Sequence, residues 1–380
     1  VSTHFDTDWL VVGSGFGGSV SALRLAEKGY GVTVLEAGRR FTDEDFAASS
    51  ARVRRYYFFP VFGMKGIFRI TLFRDGADGY EVTHVRSGSW FRKDRRTITA
   101  RGVVISAGPL GSNRLLQRCK LDGLLPKISD RLGYLVRTNS ESIVAVTAPD
   151  DDRDFSNAIA LTSSIYPSPD THIEPVTYGR NADSQSLLFT LATEAGRRGT
   201  RPLFFLLNLL RHPRKFSRTM RIRRSSRRTV MLAVMQTLDN SIRLKVRRRL
   251  PGGFPVLTTE QDPSHPNQDS VPAAYEAANW IAERIGGTVQ ATVTEAVFSI
   301  PTTAHLLGGA VIGESAASGV VNARHEVFGY RNLLVCDGSA IPANVGVNPS
   351  LTITAMTERA MTFVPAKSGA ATPAPIRFSQ

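Results

Sequence analysis

Apolar and polar positions follow different periods along this chain, and the changes of period mark out its elements. Trp9 to Val12 is an unbroken apolar run of strand length. The glycine-rich stretch GSGFGG follows. A helix is predicted over Gly18 to Lys28, with Val20, Leu23 and Ala26 on its inner face and Gly29 as the terminating glycine. Tyr30 to Leu35 reads as a second strand, ended by Glu36. FTDEDFAA (41–48) predicts a helix with Thr42 as N-cap and acids in its first turn. Residues 52–73 are aromatic and basic without a clear period. Asp75-Gly76 and Asp78-Gly79 are turn signals, residues 80–100 alternate as a β-meander, 101–108 is a buried strand, and 109–120 is a helix.

From residue 133 to 304 the pattern turns strand-like. Runs at 142–148, 158–165, 229–236 and 241–248 predict strands, the last two flanking a turn at Asp239-Asn240. A helix is predicted over 271–285, with Ser270 as N-cap and Gly286-Gly287 as the stop. The expected fold class is α/β: a Rossmann-like dinucleotide-binding domain plus an α+β substrate domain with an antiparallel sheet. The tail from Ala366, rich in Ala, Pro and Ser, is expected to be disordered.

The order strand, glycines, helix, strand, acid carries chemistry. Gly13 permits a sharp turn, Gly15 leaves room for a pyrophosphate, and Gly18 lets the helix pack close to the strand. Glu36, at the tip of the second strand, is placed to accept two ribose hydroxyls and to repel a 2′-phosphate. These features predict FAD or NAD and leave the choice between them open.

Charge adds a second feature. The chain has 380 residues and a net charge of +14. Residues 203–250 hold 14 Arg and Lys against one acid, Asp239, so most of the excess lies in one window. The window opens with the apolar octet LFFLLNLL (203–210), too short to span a bilayer. Apolar residues leading into basic ones predict a peripheral contact with anionic membrane. Phe216 is the one aromatic within the basic run, so nucleic acid is not an expected partner. Cys119 and Cys336 are the only cysteines, which argues against a disulfide framework. The seven histidines show no metal-ligand spacing, so no metal is expected. The N-terminal residues lack the pattern of a secretory signal, and the expected location is cytoplasmic or peripheral at a membrane. A hydrolase is disfavoured because no G-x-S-x-G elbow occurs.

Two blocks carry a family resemblance. GSGFGGSVSALRLAEKGYGVTVLEAGRR near the start and AHLLGGAVIGES…LLVCDGSAIPANVGVNPSLTITA near the end resemble the glucose–methanol–choline (GMC) oxidoreductases, in their bacterial cholesterol oxidase branch. RTNSESIVAV and RGVVISAGPLGSNRLL fit the same branch. The resemblance implies FAD as cofactor and disfavours a nicotinamide enzyme. It assigns Gly13, Gly15, Phe16, Gly17, Gly18 and Glu36 to the ADP half. Ala107, Gly108, Asp337 and Gly338 would lie along the cofactor, and Asn348 and Pro349 would open a helix aimed at the flavin.

It also implies oxidation of an alcohol, a 3β-hydroxysterol such as cholesterol. His305 would take the hydroxyl proton, Asn348 would position the oxygen, and Glu174 in THIEPV would shift a double bond. Oxygen or another electron acceptor would complete the cycle. The implied domains are 1–132 with 305–365 for FAD, and 133–304 for substrate, leaving 366–380 as the tail. One departure stands out. The family's second glycine-rich segment belongs between about Ile70 and Tyr80, where this chain has TLFRDGADG, so an internal block is missing. The alternative that follows is a catalytically impaired relative acting as a lipid- or membrane-surface-binding protein.

Overall fold

The computed structural model describes residues 4–370, apart from 37, 39–69, 77–78, 86–94, 151, 162, 194–198 and 249–254. The helix expected at 41–48 lies outside the described residues.

The first sheet is built around one long strand. β1 (Thr7–Val12) pairs in parallel with β2 (Val32–Leu35) and with the C-terminal half of β5 (Arg95–Ile105). β14 (Leu333–Val335), from the far end of the chain, pairs in parallel with β5 on its other side. The N-terminal half of β5 instead pairs antiparallel with β4 (Gly79–Val85), which forms a hairpin with β3 (Ile70–Gly76). That hairpin occupies the stretch where the resemblance would place a second glycine-rich segment.

Side chains of β1 alternate between two cores, as a strand's period of two requires. Leu10 and Val12 join Leu115 and Leu116 of helix α2 (Gly108–Leu121). Trp9 and Val11 join Leu25 of helix α1 (Phe16–Glu27) and Ala360 and Met361 near the C-terminus. The inner face of α1 is Gly17, Gly18, Ser21 and Leu25, not the Val20, Leu23 and Ala26 of the sequence pattern. Small residues win that face because α1 lies close against the sheet and the C-terminal helix, and Leu23 is left exposed.

The second sheet has the order β7-β8-β10-β6-β13-β9. Its central strands are β6 (Ser142–Thr147), β8 (Thr171–Val176) and β10 (Thr229–Gln236), all antiparallel. β7 (Ile165–Ser168), β9 (Phe189–Leu191) and β13 (Thr288–Thr292) complete it. Helix α5 (Pro272–Ile285) covers one face, burying Ala274, Tyr275 and Ala278 against Val144, Leu232 and Val234. Gly286 ends α5 in the left-handed region as expected, but Ser270 does not cap it; the N-cap residue is Val271.

Three further expectations are corrected. Residues 158–161 and 163–164 form no strand beyond a bridge between Leu161 and Val176, with β7 beginning only at Ile165, and Ile159 is exposed. β10 does not pair with the strand after Asp239-Asn240. That strand, β11 (Ile242–Arg248), pairs with β12 (Pro255–Gln261) in a separate ribbon, while β10 is taken on both sides by β6 and β8. The start of the tail is ordered: Lys367 donates its N–H to the Lys28 carbonyl and its Nζ meets Asp8 at 2.6 Å. The rest of the tail lies outside the described residues.

Candidate functional site

The turn after β1 has the shape of a dinucleotide cradle. Gly13 has φ +99°, a value L side chains rarely adopt, and a Cβ there would meet the Ser106 carbonyl. A Cβ on Gly17 would lie 1.7 Å from the Cys336 carbonyl, and one on Gly18 would strike the Gly13 carbonyl. Gly15 differs: a Cβ there would meet nothing within 4 Å. Three glycines of the turn are therefore committed to packing, while Gly15 borders open space at the N-terminus of α1. Phe16 is exposed beside it.

Glu36 reaches back over this turn. Its Oε2 accepts from the Ser14 N–H at 2.6 Å and from the Ser14 hydroxyl at 2.5 Å, and its Oε1 accepts from the Gly38 N–H at 2.8 Å. The open Gly15 backbone, the helix N-terminus and an exposed carboxylate fit a dinucleotide: the first two suit its phosphates, the last its ribose.

Ala107 and Gly108 form the second strand-to-helix turn. Gly108 has φ +71° and open space beside it. Asp337 lies behind this turn with its hydrogen bonds directed inward. Its Oδ2 accepts from the Ser112 hydroxyl at 2.5 Å, and its Oδ1 from the N–H and hydroxyl of Ser339. Burial pushes its carboxyl pKa up, against these hydrogen bonds and one from the Gly108 N–H. The carboxylate thus braces α2 against the 337–339 turn, and Gly338 sits in the same buried turn.

The residues expected to do chemistry converge although they are far apart in sequence. Asn348 and Pro349 precede helix α6 (Ser350–Thr362), as expected. The Asn348 Nδ2 donates to both Glu174 oxygens at 3.0 Å. It also lies close enough to the His305 imidazole to help raise its pKa. His305 Nδ1 lies 3.1 Å from Glu141 Oε2. The same oxygen accepts from the Thr303 hydroxyl at 2.7 Å and from the Ala304 N–H at 2.8 Å.

Burial opposes protonation of His305, but the Glu141 carboxylate, Glu174 and the Asn348 side chain outweigh it and raise its pKa above the ordinary value. The linkage follows in sign. A raised folded-state pKa stabilises the fold fully below about pH 6.5, and the contribution is lost as pH rises through the raised value. Glu141→Gln is expected to lower the imidazole pKa, moving its NMR titration to lower pH. An unmoved titration would show that Glu141 does not hold the ring.

Glu141 is the site residue that sequence reasoning missed. Its one signal is its place inside RTNSESIVAV. Nothing in that string marks the acid as buried, yet it is 2% exposed.

Comparison with known proteins places this geometry. The family description "GMC oxidoreductase" matches residues 201–357, and "NAD(P)-binding Rossmann-like domain" matches 11–50. The chain is 33% identical to a cholesterol oxidase of Mycobacterium tuberculosis, with 95% of this chain and 92% of that one covered. It is 30% identical to a cholesterol oxidase of Acinetobacter baumannii, with 96% and 95% covered. Each alignment runs over 531 positions against a chain of 380 residues, so these relatives carry internal sequence that this chain lacks. A pyridoxine 4-oxidase from Mesorbium loti has a similar fold, with TM-score 0.57 and 13% identity over 94% of this chain and 99% of that one.

Proposed function

The chain belongs to the GMC oxidoreductases, in their cholesterol oxidase-like branch, and from that premise we propose that it oxidises a 3β-hydroxysterol such as cholesterol to the ketone. It is an FAD-dependent oxidoreductase acting on alcohols. We read residues 1–132 with 305–365 as its FAD domain and 133–304 as its substrate domain. FAD, when bound, supplies a hydride acceptor that oxygen or another electron acceptor reoxidises. Gly13, Gly15, Gly17, Gly18 and Glu36 would hold its ADP half, with Ala107, Gly108 and Gly338 further along.

The chain's own residues handle the proton and the geometry. Glu141 fixes His305 Nδ1, so the ring presents Nε2 to the substrate hydroxyl. Nε2 accepts the O–H proton as the carbinol C–H leaves as hydride, and a C=O bond forms. Asn348 holds the substrate oxygen. Its bond to Glu174 places a carboxylate beside the same carbon skeleton, where it would carry a proton from C4 to C6 and shift the double bond. The observation that carries this reading is the convergence of two pairs, His305 Nδ1 3.1 Å from Glu141 and the Asn348 amide 3.0 Å from both Glu174 oxygens.

Purified protein should show a flavin absorption band after desalting and should form peroxide and ketone from cholesterol. A folded protein that takes up no flavin when FAD is supplied would overturn the reading. The similarity to cholesterol oxidases favours this enzyme over a catalytically impaired lipid-binding relative.

The proposed membrane contact narrows to one corner of the 203–250 window. Helix α3 (Arg201–Arg211) turns polar groups inward: an Arg201 guanidinium N–H donates to the Thr193 carbonyl and the Asn208 Nδ2 to the Ala192 carbonyl. Leu203, Leu206 and Leu210 face outward, 59%, 50% and 68% exposed. Helix α4 (Pro213–Thr219) follows with Arg214, Lys215 and Arg218 exposed. By contrast Arg243, Lys245 and Arg247 are paired with Asp262 and Glu260.

Among the described residues no helix is long and apolar enough to cross a membrane. An outward leucine stripe beside basic residues suits the surface of an anionic bilayer. The wild type should sediment with phosphatidylcholine vesicles containing phosphatidylglycerol. Changing Arg214, Lys215 and Arg218 to Gln should cost about 1 kcal/mol of binding each. Equal binding by wild type and the triple variant would sink this assignment.

A further inference from the structure

A second histidine lies against the same site. Strand β8 places His172 and Glu174 two residues apart, hence on one face of the sheet. Ile173 between them points into the core under α5. His172 Nε2 lies 3.5 Å from Glu174 Oε1, at the outer limit of a hydrogen bond, and both side chains are buried. Neither ring nitrogen of His172 has a hydrogen-bond partner among the described residues. Tyr166 of β7 stacks on the ring at 4.6 Å and 18°, and is itself 62% exposed.

His325 shows what a buried histidine in a structural role does in this protein. Its Nδ1 pairs with the Val335 carbonyl at 2.9 Å, and burial lowers its pKa. His172 has no such backbone anchor; its edge faces a carboxylate. The residue opposite it on β10 is the neutral Met235. The titratable group its edge faces is therefore Glu174 on its own strand, while Tyr166 of β7 covers the ring face and Asn348 lies one contact further on. The site thus holds two histidine–carboxylate pairs, Glu141 with His305 and Glu174 with His172, and Asn348 donates to the second pair's carboxylate.

We infer that His172 is a positioning residue for Glu174, exchanging the proton that this carboxyl group carries with solvent beneath Tyr166. The Glu174 O–H bond breaks and an N–H bond forms at His172 Nε2, leaving a carboxylate and an imidazolium. The imidazolium exchanges that proton for one from water and hands it back to Glu174, which delivers it to C6, and no electrons move. This rests on the reading of Glu174 as the group that carries a proton from one substrate carbon to another.

The test uses the flavin-loaded full chain, cholesterol as substrate, and D2O as solvent. Ketone formation, double-bond shift and deuterium in the product are followed separately against pH. The wild type should draw deuterium into the shifted product. His172→Gln and His172→Phe should keep oxidation within about twofold and cut deuterium incorporation about tenfold, with a changed pH profile for the shift alone. Matched thermal melts show that both variants fold.

In the cofactor-free protein, Glu174→Gln should move the His172 ring resonances. Unchanged deuterium content and pH profile in both His172 variants, or a wild-type product free of deuterium, overturns the inference. If Glu174→Gln stops the double-bond shift while the His172 variants behave as wild type, only the role of His172 has failed. If Glu174→Gln still shifts the bond, or the wild type never does, the reading of Glu174 has failed and the inference with it.

Discussion

Replacing His305 with Gln is expected to slow alcohol oxidation by about 100- to 10,000-fold while the protein keeps its flavin. The size follows from what the ring is asked to do. Oxidation of an alcohol separates a hydride from a hydroxyl proton, and a base within hydrogen-bond reach takes the proton as the hydride departs. The ring is oriented by Glu141 Oε2 at 3.1 Å on Nδ1, which leaves its other nitrogen for the substrate. Gln fills similar space and keeps a hydrogen bond but cannot take the proton. Because the raised pKa keeps the imidazole protonated at low pH, wild-type activity should rise with pH through that value, and His305→Gln should lose this dependence. Stopped-flow reduction of the flavin by substrate measures the step directly. A variant that reduces flavin at the wild-type rate would remove His305 from the chemistry.

The second large effect separates two neighbouring glycines. Gly15→Val should fold and melt like the wild type, yet retain no flavin after desalting. Gly15 has extended backbone, φ −68° and ψ −168°, which valine adopts without strain, and a Cβ there enters open space. That space is where the pyrophosphate would meet bare backbone. Gly17→Ala should behave in the opposite way and destabilise the fold by about 3 kcal/mol, because its methyl is driven against the Cys336 carbonyl and backbone must shift. Thermal melts paired with visible spectra read both variants. A Gly15→Val protein that holds its flavin would mean that the cofactor does not cross this turn.

The legible parts of the site were those whose chemistry is local in sequence. The glycine turn, Glu36 at the strand tip and the helix after Pro349 each follow from residues within one supersecondary unit. Glu174 was picked out by its place in THIEPV, and the fold brings it to Asn348. Glu141 and His172 were not legible. A buried acid in SES and a histidine in THIEP look like ordinary strand residues until the strands are paired. The basic window was overcounted for a similar reason. Its second half faces Asp262 and Glu260 in the β11–β12 ribbon, and strand pairing is a long-range fact.

By itself, the sequence determined the α/β class, the dinucleotide turn and the family, since these rest on period, turn chemistry and short spacings that hold wherever the chain goes. Tertiary structure decided which face of α1 is buried, because close packing against the sheet and the C-terminal helix selected Gly17, Gly18 and Ser21 over larger apolar side chains. It also decided the partners of β10, because a central strand goes to the neighbours that best cover it, not to the next strand in sequence. Above all it decided the site, where Glu141, Glu174, His305 and Asn348 come from four separate segments. Their hydrogen bonds and charges act only at contact distance, and contact between residues so far apart in sequence exists only in the folded chain.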